Sequence, residues 1–78
     1  MRIEFHGGLR DFFPASKEYH VAQGLAAGEL LQLLHEETPL AGNLLLNTRV
    51  ADNERILEND ALLENGGTYH LLPPPGGG

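Results

Sequence analysis

Ala27-Gly28-Glu29-Leu30-Leu31-Gln32-Leu33-Leu34-His35-Glu36-Glu37 is the one long periodic segment of this sequence. Ala27, Leu30, Leu31 and Leu34 recur at i, i+3, i+4 and i+7, while Glu29, Gln32, Glu36 and Glu37 take the other faces. That spacing predicts an amphipathic helix of about three turns with a single apolar stripe. Glu29 in the first turn suits the positive end of the helix dipole, and Pro39 disfavours helical geometry at Thr38 and so marks the end. The start is weakly signalled. No Ser, Thr, Asp or Asn stands at the cap position, and Gly28 in the first turn carries a helix cost of up to about 1 kcal/mol relative to alanine.

On the N-terminal side of this helix the period changes to two. Residues 2–6 alternate Arg, Ile, Glu, Phe, His, which predicts a strand with Ile3 and Phe5 facing the core. Gly7-Gly8 breaks it, and Leu9-Arg10-Asp11-Phe12-Phe13 before Pro14 suits one helical turn, with Phe12 and Phe13 plugging one end of the core. Residues 17–21 alternate again, with Tyr19 and Val21 on one side, and predict a second strand paired with the first as a hairpin.

On the C-terminal side, Leu44-Leu45-Leu46 between Asn43 and Asn47 reads as a short buried central strand. Arg49-Val50-Ala51 begins a return strand, and Asp52-Asn53-Glu54-Arg55 is an exposed loop. Asn59-Asp60 and Asn65-Gly66-Gly67 mark two more turns before the last strand at residues 68–72. The fold class is therefore α+β, a mixed sheet of about four to five strands covered by one main helix. The helix between the second and third strands supplies the crossover that a mixed sheet needs.

Seventy-eight residues with 41% hydrophobic content support one small core that buries roughly 60 to 65% of the unfolded chain's surface, with little room for an enclosed active site. Eleven acidic residues against five basic ones give a formal charge of −6, which opposes nucleic-acid phosphates and suits a basic partner. Without cysteine, disulfides, thiolate metal sites and cysteine nucleophiles are excluded. No apolar run has the length of a signal peptide core or a membrane span, so a cytoplasmic location is expected.

Catalytic constellations are equally hard to find. His6, His20, His35 and His70 fall on different predicted elements without metal-ligand spacing, so no metal site is expected. Ser16, the only serine, lacks the surroundings of a nucleophile elbow, and His6-Gly7-Gly8-Leu9-Arg10 lacks the lysine and spacing of a phosphate loop. No catalytic residue is assigned. One surface stands out: if Tyr69 and Leu71 face the helix, His70 and Leu72 take the opposite sheet face, where Leu45 joins them from the third strand as a patch for partner docking.

The last strand runs directly into Pro73-Pro74-Pro75-Gly76-Gly77-Gly78. Each proline fixes φ and favours the extended polyproline II form, which rises about 3.1 Å per residue and holds the glycines away from the body. Glycines lack Cβ atoms and pass through channels too narrow for side chains. The expected division is a domain over residues 1–72 and an extended tail over 73–78, with the chemistry at the terminal carboxylate of Gly78.

The opening Arg2-Ile3-Glu4-Phe5-His6-Gly7-Gly8-Leu9-Arg10-Asp11, the helix Gly28-Glu29-Leu30-Leu31-Gln32-Leu33-Leu34 and the ending Leu71-Leu72-Pro73-Pro74-Pro75-Gly76-Gly77-Gly78 resemble the β-grasp sulfur carriers. They are most similar to the small subunit of molybdopterin synthase, whose members end Pro-Pro-x-x-Gly-Gly; Pro73, Pro74, Gly77 and Gly78 fill the fixed positions. The resemblance implies a ubiquitin-like β-grasp fold and a carrier, not an enzyme. It implies that a ubiquitin-activating-type enzyme uses ATP to adenylate Gly78, that a persulfide converts the adenylate to a thiocarboxylate, and that the tail then enters a catalytic large subunit. Gly78 would carry the sulfur, Gly77 and Gly76 would allow close passage, and Pro73 to Pro75 would set the reach. No cofactor is bound by the carrier itself, and the free protein is expected to be a monomer.

Two departures stand against the family pattern. Where the family often has Asn-Gly after the third strand, this chain has Asn47-Thr48, and a β-branched threonine resists the positive φ of a type I′ turn. The triple glycine also occurs in thiamine-pathway carriers. A ubiquitin-like modifier joined to target lysines through Gly78, a carrier for thiamine or another thiolated product, and an interaction domain with an inert tail are the alternatives.

Overall fold

The computed structural model describes residues 1–21 and 24–75. Four strands form one mixed sheet: β1 (Arg2–Phe5), β2 (Ser16–Glu18), β3 (Arg49–Ala51) and β4 (Thr68–Leu72), in the order β2-β1-β4-β3. β1 and β4 pair in parallel, and both outer pairs are antiparallel. Helix α1 (Ala27–Glu37) covers one face, so the helix read from the 27–37 periodicity stands at its expected place.

The alternation on the strands explains the layering. Ile3 and Phe5 of β1, Val50 of β3, and Tyr69 and Leu71 of β4 point to one side and pack against Ala27, Leu30 and Leu34 of α1. Ile3, Phe5, Leu30, Leu34 and Leu71 have no exposed surface. The 3-10 helix at Gly7–Asp11 buries Leu9 and leads to Phe13, whose ring stacks on Phe5 at 4.7 Å between centroids. Phe13 closes the end of the core as expected, whereas Phe12 faces outward, 38% exposed. The β1–β2 hairpin is present but its second strand is shorter than residues 17–21. The pairing continues beyond it through Tyr19, whose N–H donates to the Met1 carbonyl while the Met1 ammonium donates to the Tyr19 carbonyl. The Tyr19 hydroxyl is buried without a partner among the described residues, and burial pushes its pKa up to about 12.

The helix start that lacks a capping side chain is satisfied by the loop beside it. Ala27 and Gly28 N–H groups donate to the carbonyls of Ala61 and Asn59, each at 2.9 Å, and the Glu29 carboxylate accepts the Ala26 N–H. Gly28 permits this approach: a Cβ there would lie 3.2 Å from both Cβ and O of Asn59. A similar fit holds the turn before β4, where the Tyr69 hydroxyl accepts the Glu64 N–H and would meet any Cβ on Gly67 at 2.7 Å.

Leu44-Leu45-Leu46 departs from expectation. It belongs to a second helix, α2 (Gly42–Leu46), preceded by a 3-10 helix at Pro39–Ala41. Pro39 stands at the first helical positions, where its missing N–H costs nothing, so the chain re-enters helix directly after α1. Helical spacing buries Ala41 and Leu45 together at i and i+4 and turns Leu46 out, 75% exposed. The Asn47-Thr48 junction needs no type I′ turn. No residue other than glycine has positive φ among those described, and the Thr48 hydroxyl donates to the Leu44 carbonyl at 2.7 Å, closing the helix end. No helix among the described residues is long and apolar enough to cross a membrane.

Candidate functional site

Parallel pairing sends the C-terminal ends of β1 and β4 out at the same edge of the sheet. Phe5 stands opposite Leu71, so the residues two further on, Gly7 and Pro73, continue side by side. Gly7 has φ +54°, and a Cβ on it would lie 3.0 Å from Cγ of Pro73. Pro73 and Pro74 are half-buried and Pro75 is exposed. Gly76, Gly77 and Gly78, the residues expected to carry the chemistry, lie outside the described residues.

The face of the sheet opposite α1 carries the even-numbered residues of β1 and β4. His70 and Leu72 are both there, half-buried, as their alternation predicts. Leu45 is not. It is 2% exposed, on α2, within the core on the other side of the sheet, and the expected three-residue patch loses it because its segment is helical. Its neighbour Leu44 packs toward Gly8, with Cδ1 3.4 Å from where a Cβ on that glycine would stand.

The same face joins two histidines that stand far apart in sequence. His6 Nε2 lies 3.0 Å from His70 Nδ1, and His70 Nε2 lies 2.8 Å from Asn53 Oδ1. Because Asn53 Oδ1 can only accept, His70 Nε2–H donates to it, which leaves His70 Nδ1 to accept from His6 Nε2–H. A neutral pair therefore has both nitrogens of His70 and the Nε2–H of His6 engaged. Burial, the neighbouring His70 and the Arg10 guanidinium hold His6 below its ordinary 6.5, and Glu4 on the same face opposes them. Arg10 is fixed there by donating to the Phe5 carbonyl at 2.8 Å. The Glu4 carboxyl is itself held low, chiefly by its hydrogen bond from Arg2, and Asp52 by the backbone N–H groups of Glu54 and Arg55.

These shifts give a pH dependence with a definite sign. His6 is a base with a depressed value in the folded state, so as pH falls through about 6.5 the unfolded chain takes up its proton first and stability declines. Glu4 and Asp52 are depressed acids, and their contributions are lost at lower pH, as those carboxylates are protonated in the folded state. Urea midpoints measured from pH 7.5 to 3 are expected to fall between pH 7.5 and 5 for the natural chain and to stay flatter there for His6→Gln, with a further loss below pH 4.5 common to both.

The histidine pair was not legible from spacing. Only the parallel register, which sets Glu4 opposite His70, brings residues 6 and 70 together. Among the described residues no group of three or more His, Cys, Asp or Glu is placed to hold a metal ion. An open groove lined by Leu31, Leu46, Thr48, Leu57 and Asp60 holds no histidine, and its one hydroxyl, Thr48, is engaged with the Leu44 carbonyl.

No protein-family model matches the sequence, and no curated protein matches it. Among solved structures, the chain is similar to the crystal structure of SAMP1 from Haloferax volcanii, with a TM-score of 0.74 and 19% identity over 99% of this chain and 97% of that one. The likeness runs over almost the whole of both chains, so it is a likeness of the complete fold. The chain folds as a ubiquitin-like β-grasp domain.

Proposed function

We propose that this protein is a sulfur carrier that works through the carboxylate of Gly78, donating sulfur in the biosynthesis of molybdopterin or its tungsten-bound counterpart. The observation that carries this reading is the exit of β4, the strand paired between β1 and β3, directly into Pro73-Pro74-Pro75 at the sheet edge, with Gly76 to Gly78 following in sequence. A free carboxylate is a poor acyl donor. In the proposed sequence a carboxylate oxygen of Gly78 attacks the α-phosphorus of ATP on a ubiquitin-activating-type enzyme, and pyrophosphate leaves. A persulfide sulfur of a sulfurtransferase then attacks the acyl carbon and AMP leaves. Attack by a second thiol on the resulting acyl disulfide releases the thiocarboxylate.

The chain itself contributes no catalytic group in this scheme and binds no cofactor; ATP belongs to the activating enzyme. Pro73 to Pro75 set the reach, Gly76 and Gly77 pass the partner's channel, and His70 and Leu72 meet the partner beside the channel mouth. The acceptor is the large subunit of a pterin synthase, in the cytoplasm, and the free carrier is a monomer. The test is ATP–pyrophosphate exchange by a purified activating enzyme of this class. The full chain is expected to support exchange, and the chain alone with ATP is expected to give none. Exchange by the chain alone, or none with the enzyme, would overturn the reading.

A further inference from the structure

Gly7 has two separate reasons to be glycine, and both bear on the tail. Its φ of +54° is a backbone state that side chains disfavour, and its missing Cβ is replaced in space by Pro73, whose Cγ would lie 3.0 Å and Cδ 3.8 Å from that atom. The contact sits two residues beyond the last pair of the two parallel strands, Phe5 and Leu71. Pro73 has no N–H to donate to the ladder, and its ring packs against Gly7 instead.

We propose that Gly7 is a positioning residue for the tail: by seating Pro73 it fixes the direction in which the chain departs from the sheet, and through it the delivery of Gly78 to the activating enzyme. This rests on the carrier reading above. The physical argument is one of leverage. Fixed φ at Pro73, Pro74 and Pro75 leaves few rotations to absorb an angular change made at Pro73, so the change is carried through to Pro75, which stands in 3-10 geometry where an extended residue was expected. A side chain at position 7 pushes at the base of that block. Placement errors of about 1 Å at a reacting group cost on the order of a hundredfold in rate.

The sequence alone gives no reason to link residues 7 and 73. Gly7-Gly8 reads as a strand breaker, and Gly8 does only ordinary packing, its absent Cβ facing Leu44 at 3.4 Å. The distinction between the two glycines is what the parallel register supplies.

The test is a double-mutant cycle read as kcat/KM for ATP–pyrophosphate exchange, with thermal unfolding of each variant alongside. Gly7→Asn keeps a residue that tolerates positive φ but adds the Cβ, and Pro73→Ala removes the Cγ that it would meet. Gly7→Asn is expected to lower kcat/KM about tenfold or more in the natural background and at least about fivefold less in the Pro73→Ala background. Equal losses in both backgrounds would mean that Gly7 acts through the fold alone, and an unchanged kcat/KM would mean that the contact does not aim the tail; either overturns the proposal. Should Gly7→Asn fail to fold, Pro73→Ala alone carries the test, because it releases the same contact beyond the last strand residue. It is expected to fold normally with a several-fold lower kcat/KM, and natural kcat/KM would refute the idea. Absence of exchange by the natural chain is a different result, since it removes the carrier reading itself.

Discussion

A chain ending at Gly77 is expected to lose activation, falling at least a hundredfold in kcat/KM for ATP–pyrophosphate exchange, while its urea unfolding stays within about 0.5 kcal/mol of the full chain. The shortened chain still ends in a glycine carboxylate, so its chemistry is intact. What changes is reach, by about 3.1 to 3.6 Å for one extended residue. In-line attack on a phosphorus atom held by a partner does not tolerate that retreat. The domain should not register the loss, because β4 closes at Leu72 and the core is completed by Tyr69 and Leu71. An interaction domain with an inert tail would instead keep all partner binding after the deletion.

The largest expected effect on stability comes from Phe5→Ala. Phe5 has no exposed surface, lies on β1 between β2 and β4, and stacks on Phe13 with planes 10° apart. Removing a buried phenyl ring costs about 3 to 5 kcal/mol, transfer and cavity terms together. A domain of this length commonly has a total of about 4 to 12 kcal/mol at the usual 0.05 to 0.15 kcal/mol per residue, so the variant should lose a quarter or more of its stability and its urea midpoint should fall sharply. Leu40→Ala is the matching control: Leu40 is 86% exposed, and its loss should fall within about 0.5 kcal/mol. Equal midpoints for Phe5→Ala and the natural chain in urea would contradict the packing described here.

Phe5 also marks where sequence was sufficient. Phe5 and Ile3 declare their face by strict alternation, and α1 declares its face by apolar residues three and four apart; both patterns are local and survive without knowledge of partners. Leu44-Leu45-Leu46 carries no period, because three consecutive leucines fit a buried strand or a helix turn equally well. Its structure was decided by Pro39 restarting the helix and by Ala41, four residues before Leu45, facing the same core. That one ambiguity propagated to the surface, removing Leu45 from the expected docking patch.

The two long-range pairs of the candidate site that sequence could not supply are products of the β1–β4 register. His6 and His70 are 64 positions apart, and Gly7 and Pro73 are 66 apart. Neither pair has a spacing motif, because a parallel pairing across a long connection leaves none. The helix start shows the same limit in milder form. Its orphan N–H groups are satisfied by carbonyls of Asn59 and Ala61, and backbone groups leave no trace in residue type.

The most direct measurement is the intact mass of the protein purified from its native host, with and without a reagent that alkylates thiocarboxylates, followed by mapping of the C-terminal peptide. A sulfur-for-oxygen exchange confined to Gly78 is the predicted result. An unmodified carboxylate in cells that make the activating enzyme, with Gly78 instead found in isopeptide linkage to lysines of other proteins, would contradict the carrier account and make the protein a modifier.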